Sequence, residues 1–387
     1  MRDTKLRRVS LRPTSLRDEG GYDAVLILED GSVFKGKSYF PCEAEGEVVF
    51  NTGMVGYVES LTDPSYYGQI LVQTFPLIGN YGVPPPEEIG GVLKNYESER
   101  IQVRGYVVSE LCEAPSHYTA ERGLIDWLEE ERIPHIFGVD TRLLTKHLRA
   151  HGTMLGVLKS GEIHMEELEE RARSVDDPNE ENLVKYVSTK KKVIYNPEGF
   201  PSVGVVDCGV KHGILRELLL RGAKVIRYPY DVSAKTLLNE CDCVLLSNGP
   251  GNPMRCSETI TTVSELLEED LPIFGICLGC QILALAAGGR TYKLKFGHRG
   301  QNQACVELST RRCYVTSQNH GYAIDAKSLK GSGFEVTWVN VNDGSVEGIR
   351  HKSKPFFAVQ FHPEGSPGPL DTRWLFDHFL EEVEHRA

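Results

Sequence analysis

Two different apolar patterns divide this chain. From residue 22 to about 110, short apolar runs are broken by turn residues. The segment 22–36, YDAVLILEDGSVFKG, predicts a β-hairpin with Asp30-Gly31 as its turn. The stretches 119–133 (TAERGLIDWLEEERI) and 141–150 (TRLLTKHLRA) space their apolar residues helically and predict amphipathic helices. This half reads as a mixed α+β region without βα alternation. From 203 the rhythm turns regular. VGVVDCG (203–209) is a short apolar strand. HGILRELLLRG (212–222) is a helix with Ile214, Leu215, Leu218 and Leu219 on one side and Gly222 as its stop. Strands at 223–230 and 243–249, a helix at 258–270 and a further strand-to-helix step at 272–289 continue the series. Such a βαβαβ run predicts an α/β fold, an open and mostly parallel sheet flanked by helices. The segment 372–385 predicts a closing amphipathic helix.

The text between the two patterns is polar. EELEE, DDPNEEN, KKK and NPEG follow one another over 166–199 and predict a short helix and then a linker. The expected division is a tail at 1–21, a mixed α+β domain at 22–175, a linker at 176–200 and an α/β domain at 201–387. The first 21 residues lack the apolar core of a secretory signal. Their six Arg/Lys and three Asp/Glu suit a disordered tail better than a transit peptide, which is poor in acidic residues. The uncharged window 271–289 approaches the length of a membrane span, but Pro272, Gly275, Gly279, Gly288 and Gly289 interrupt it. Strand, tight turn and buried helix fit it better.

Composition narrows the classes. The 387 residues suffice for two or three domains, and 40% hydrophobic with 25% charged residues is the mix of a soluble globular protein. A net charge of −11 argues against a nucleic-acid binder. Ten irregularly spaced cysteines do not form a secreted disulfide framework.

The sharpest chemical motif is Gly275-Ile276-Cys277-Leu278-Gly279, a G-x-C-x-G between an apolar strand and an apolar helix. It is the cysteine form of a nucleophile elbow: the glycines let the backbone close up, and the helix N-terminus favours thiolate. At 356–364, FFAVQFHPE, a strand ends and presents His362 and Glu364 two residues apart. His362 can take the thiol proton and Glu364 can orient the imidazole. The backbone N–H of Leu278 and the bare loop at 247–253 can hold an oxyanion. Both loops follow parallel strands, where open α/β sheets bind ligands. Cys277 and Cys280 also form a C-x-x-C, as in thioredoxin-like redox proteins. A zinc site would need a second matched pair, which Cys241 and Cys243 do not supply.

GICLGCQ (275–281), QNHGYA (318–323), SNGPGNP (247–253) and HPEGSPGP (362–369) resemble the class I glutamine amidotransferases. In the first half, GEVVFNTGMVGY (46–57), TDPSYYGQI (62–70), PLIGNYG (76–82) and GVDTRLLTKHLR (138–149) resemble the small subunits of carbamoyl phosphate synthetases. The resemblance implies a Cys277, His362 and Glu364 triad that hydrolyses glutamine through a thioester. It implies an oxyanion hole at Leu278 and Gly251. It implies glutamine contacts at Ser65, Gly249, Gln281, Asn319, Gly321 and Tyr322. Ammonia would pass to a synthetase partner, a large subunit or a fused domain. No stretch remains for that synthetase, so ATP and magnesium are expected on the partner, and no cofactor or metal in this chain. A cytoplasmic setting is expected. One departure is Cys280, where the family usually has histidine. Activity should survive it, but a second thiol there could compete or pair with the first. Other readings of the same fold are a catalytically silent scaffolding domain and a stand-alone amide hydrolase.

Overall fold

The computed structural model describes residues 21–384, so the expected tail lies outside the described residues except for Gly21. The first sheet has seven strands: β1 (Tyr22–Leu28), β2 (Val33–Ser38), β3 (Glu43–Asn51), β4 (Gln69–Gln73), β5 (Gly105–Val107), β6 (His135–Ile136) and β7 (Met154–Ser160). Their order is β6-β5-β4-β3-β7-β1-β2. The expected hairpin is β1 and β2, antiparallel, with Leu26 opposite Phe34. Neighbours along a strand feed opposite faces, as a pleat requires. Val48 and Ile70 join a core with Leu144 and Leu148, which belong to helix α3 (Thr141–His151). Val49 and Leu71 join the other core with Tyr57, of helix α1 (Tyr57–Thr62), and Trp127, of helix α2 (Leu124–Glu130). The helix expected at 119–133 is thus shorter, because Gly123 stays extended ahead of it.

The second sheet has ten strands. They are β8 (Val193–Tyr195), β9 (Ser202–Asp207), β10 (Lys224–Pro229), β11 (Cys243–Leu246), β12 (Ile273–Ile276), β13 (Thr291–Glu307), β14 (Cys313–Ile324), β15 (Phe334–Asn340), β16 (Val346–His351) and β17 (Phe356–Val359). The order is β8-β10-β9-β11-β12-β17-β16-β15-β13-β14. The parallel part is β10-β9-β11-β12-β17. Antiparallel strands extend it at both edges, so the whole sheet is mixed. Helices cover both faces. Leu237, Val263 and Leu283 pack on one, and Ile214, Leu218, Phe376 and Phe379 on the other. The uncharged window at 271–289 resolves into β12, a turn at Cys277 and the buried helix Leu278–Ala286. No helix among the described residues is long and apolar enough to cross a membrane.

The stretch expected as a linker is built into the fold. Val193–Tyr195 pairs antiparallel with β10 as an edge strand, and Thr189 N–H donates to Asp207 Oδ2 at 2.7 Å. Its charges face water, and the short apolar run among them gave no strand signal.

The two sheets meet through buried polar groups. Glu97, wholly buried on the first-domain side, accepts from Arg216 Nη2 at 2.6 Å and from the N–H of Gly213 at 2.9 Å. Lys211 Nζ lies 4.0 Å from Oε2, the oxygen that Gly213 meets. Removing one partner of a buried ionic group strands the rest without water. Glu97→Ala is therefore expected to cost about 3 kcal/mol, measured by urea unfolding of the full chain. A change under about 0.5 kcal/mol would contradict this role.

Candidate active site

The site begins with a backbone that only small residues permit. β12 turns directly into helix α8 (Leu278–Ala286), and Cys277 stands between them at φ 55° and ψ −104°. Positive φ in a residue with a side chain is strained. The flanking glycines make room for it. A Cβ on Gly279 would lie 2.1 Å from the carbonyl oxygen of Leu246, and one on Gly275 2.8 Å from that of Gly279. The N–H of Cys277 donates to Val359 O at 2.9 Å, and its thiol points at Asn319 O at 3.6 Å. Leu278 opens α8, and the first N–H groups of a helix have no acceptor within it.

The base comes from the neighbouring strand. β17 ends at Val359, Phe361 drops into the core, and the N–H of His362 is pinned to Ser317 O at 2.8 Å. His362 Nδ1 lies 2.7 Å from Glu364 Oε1, and both residues are buried. Burial and the Lys211 ammonium oppose charge on the ring, but the Glu364 carboxylate, helped by Cys277, outweighs them and pushes His362 up to about 10. His362 Nε2 has no hydrogen-bond partner among the described residues, which leaves it to serve the sulfur. Burial likewise opposes charge on Glu364, but Lys211 and then His362 hold it well below the usual carboxylate range. Lys211 Nζ donates to Glu364 Oε1 at 2.8 Å and to Ser366 O at 2.5 Å.

Sequence reasoning passed over Lys211. One signal was available: a lysine at the start of helix α5 (His212–Leu220) opposes the helix dipole. Asp63 was also missed, although it accepts from Asn319 Nδ2 at 3.0 Å and ties the glutamine segment to the first domain.

A pocket open to solvent lies between the two domains with Cys277 in its wall. Ser65 reaches it from the first domain, Gly249 and Gly251 from the loop after β11, and Leu278 and Gln281 from α8. Asn319, Gly321 and Tyr322 of β14 close it. Ser65 Oγ accepts from Asn248 Nδ2 at 2.9 Å, so the domains touch at the cavity itself. A Cβ on Gly249 would lie 2.1 Å from Cys208 O, and Gly251 has φ +82°. Gln281 Nε2 donates to Tyr322 O at 2.8 Å and to Gln360 Oε1 at 3.0 Å, so it braces α8 against β14. His362 and Glu364 do not line this cavity. His362 borders a second, smaller pocket, shared with Asp63 and Lys211. Glu47, Lys293 and Arg299 add both signs of charge to the first cavity, and no motif marked them beforehand. Cys280 is wholly buried, and burial pushes its thiol well up, which removes it as a competing nucleophile.

Comparison with known proteins gives this geometry a context. The family model for glutamine amidotransferase class-I matches residues 204–382, and that for the carbamoyl-phosphate synthase small chain, CPSase domain, matches 26–158. The carbamoyl phosphate synthase small chain of Methanopyrus kandleri is 51% identical over 363 residues, covering 92% of this chain and 98% of that one. The chain belongs to the carbamoyl phosphate synthase small-chain family. An arginine-specific small chain from Chaetomium globosum is 48% identical, covering 94% of this chain and 79% of that protein. The multifunctional protein CAD of Squalus acanthias is also 48% identical over 92% of this chain, which spans only 16% of that protein. The family thus includes separate small chains and a fused form.

The buried pair sets a pH signature. His362, at about 10 when folded against about 6.5 unfolded, contributes stability fully below about 6.5 and loses it as pH rises through about 10. Glu364, held low, contributes above its unfolded value of about 4.3 and loses its share as pH falls through the folded one. In Glu364→Gln the ring loses its carboxylate, so the decline in stability between pH 6.5 and 10 should flatten. Denaturant unfolding at several pH values measures it. An unchanged slope would mean that the pair carries no such linkage.

Proposed function

We propose that this chain is the glutaminase component of carbamoyl phosphate synthase, with Cys277 as its nucleophile. The observation that carries the reading is a strained cysteine at a helix start, beside a buried His362–Glu364 pair and in the wall of an interdomain cavity. Cys277 Sγ, whose proton the His362 ring already holds on Nε2, attacks the side-chain amide carbon of L-glutamine. The N–H groups of Leu278 and Gly251 hold the oxyanion. As the tetrahedral intermediate collapses, His362 returns the proton to the amine and ammonia leaves. Water, deprotonated by the same ring, then cleaves the γ-glutamyl thioester to glutamate and frees the thiol. Glu364 keeps the ring oriented and stabilises its charged form, and Lys211 keeps Glu364 ionised and in place. Ser65, Gly249, Gln281, Asn319, Gly321 and Tyr322 shape the glutamine seat.

Ammonia then serves a synthetase partner, a large subunit or fused domain, where bicarbonate, ATP and magnesium react. We place the reaction in the cytoplasm, a reading supported by ten free cysteines. The intact buried pair behind Cys277 speaks against a silent scaffold, and the small-chain first domain against a stand-alone hydrolase.

Glutamate release by the full chain, alone and with its synthetase partner, tests the proposal. The wild type should release glutamate slowly alone and faster in the complex. Cys277→Ser should lower the rate at least about 10³-fold and abolish the glutamyl adduct that mass spectrometry of the wild type is expected to detect. Equal rates for the two proteins would remove Cys277 from the mechanism. No release even in the complex would favour the scaffold.

A further inference from the structure

One charge in the wall of the glutamine pocket has no counter-ion. Glu47 and Lys293, which line the pocket together with Arg299, pair with each other at 2.8 Å. Glu47 also accepts from Thr153 Oγ1 at 2.9 Å and from Gln69 Nε2 at 2.8 Å, so both its oxygens are engaged. Arg299 of β13 stands apart from this group. It is 5% exposed, and its guanidinium makes one hydrogen bond, from Nη1 to Phe296 O at 2.7 Å. Its Nε has no partner, and among the described residues no carboxylate forms an ion pair with it. Burial pulls the guanidinium below its ordinary value, and Glu47, Tyr66 and Cys277 offset only part of that. A cation held out of water without a counter-ion is costly. Its planar fork of donors is shaped for a carboxylate.

The place of the fork fits one end of the substrate. Arg299 stands directly opposite Asn319 of β14 in their antiparallel register, and Asn319 O is the atom that the Cys277 thiol meets. From there the guanidinium lies against Gly297 and Gly321, both in the pocket wall. A Cβ on Gly297 would collide with Nη1, and one on Gly321 would lie 3.2 Å from Nη2. The two glycines leave the space that the fork occupies. Gly321 is two residues beyond Asn319, about 7 Å along the strand. Sulfur and fork thus stand at two ends of a gap that a glutamine side chain spans.

We propose that Arg299 binds the α-carboxylate of glutamine and makes that group a condition of substrate recognition. The proposal rests on the glutaminase reading above and adds a residue to it. Glutamine, the glutamyl thioester and glutamate all keep the α-carboxylate, so the fork holds the acyl half in place while ammonia leaves. An amide without the carboxylate leaves the guanidinium buried and unpaired, and the pocket rejects it by that penalty.

The test measures binding in the full chain carrying Cys277→Ser, which cannot turn the ligand over. Three ligands are titrated by calorimetry or competition: L-glutamine, glutaramate (no α-amino group) and γ-aminobutyramide (no α-carboxylate). Added Arg299→Gln should weaken L-glutamine and glutaramate at least about 30-fold each. It should leave the weaker γ-aminobutyramide unchanged. Arg299→Lys, which keeps the charge and loses the fork, should fall between. Melting curves check folding. If the variants do not fold, a crystal structure of the Cys277→Ser protein with L-glutamine decides, with the α-carboxylate expected in hydrogen-bond contact with the guanidinium. Equal affinity for L-glutamine in a folded Arg299→Gln protein, equal losses for all three ligands, or an α-carboxylate seated away from Arg299 would overturn this proposal and leave the glutaminase reading standing. A Cys277→Ser protein that binds neither L-glutamine nor glutaramate would overturn both.

Discussion

Lys211 carries a charge where water does not reach, and much of the site is arranged around that charge. Its ammonium meets Glu364 Oε1 and Ser366 O, its backbone N–H meets Asn248 Oδ1, and Glu97 stands just beyond. An uncompensated buried ion costs several kcal/mol, so these partners are held in register by the penalty for losing any of them. The same constraint orients the base. Glu364 Oε1 is shared between Lys211 and His362, so the imidazole is positioned by a chain of charges that begins in the other domain. Domain packing and ring orientation are in this sense one property.

The glutamine cavity has the same dual origin. Asp63 and Ser65 reach across to Asn319 and Asn248, so neither domain owns the cavity alone. A shift between the domains would move the seat of the substrate relative to the sulfur. This explains why a first domain with no nucleophile of its own is built so tightly against the second.

How much of this was legible in the sequence follows from range. The elbow at 275–279 could be read because its strain and its remedy, the flanking glycines, are neighbours in the chain. The pairing of His362 with Glu364 could be read because they stand two positions apart. Continuous apolar strands announced the parallel sheet for the same local reason. The sequence was silent where partners are brought together by register. Glu97 and Arg216, and Asp63 and Asn319, are polar residues in ordinary surroundings until the sheets form. The strand Val193–Tyr195 was hidden by the lysines before it. The antiparallel extension β16-β15-β13-β14 alternates too irregularly, with bulges at 293–298 and 300–303, to declare itself.

The backbone of Cys277 is held at positive φ. A conformation of this kind costs about 1–3 kcal/mol, and glycine would adopt it without that cost. The chain therefore carries at its centre a residue that folding alone would discard. Selection for stability and selection for the thiol pull in opposite directions at this one position. A lineage released from the chemistry would gain by replacing the cysteine, and its persistence in a fold is a sign that the reaction is still being paid for.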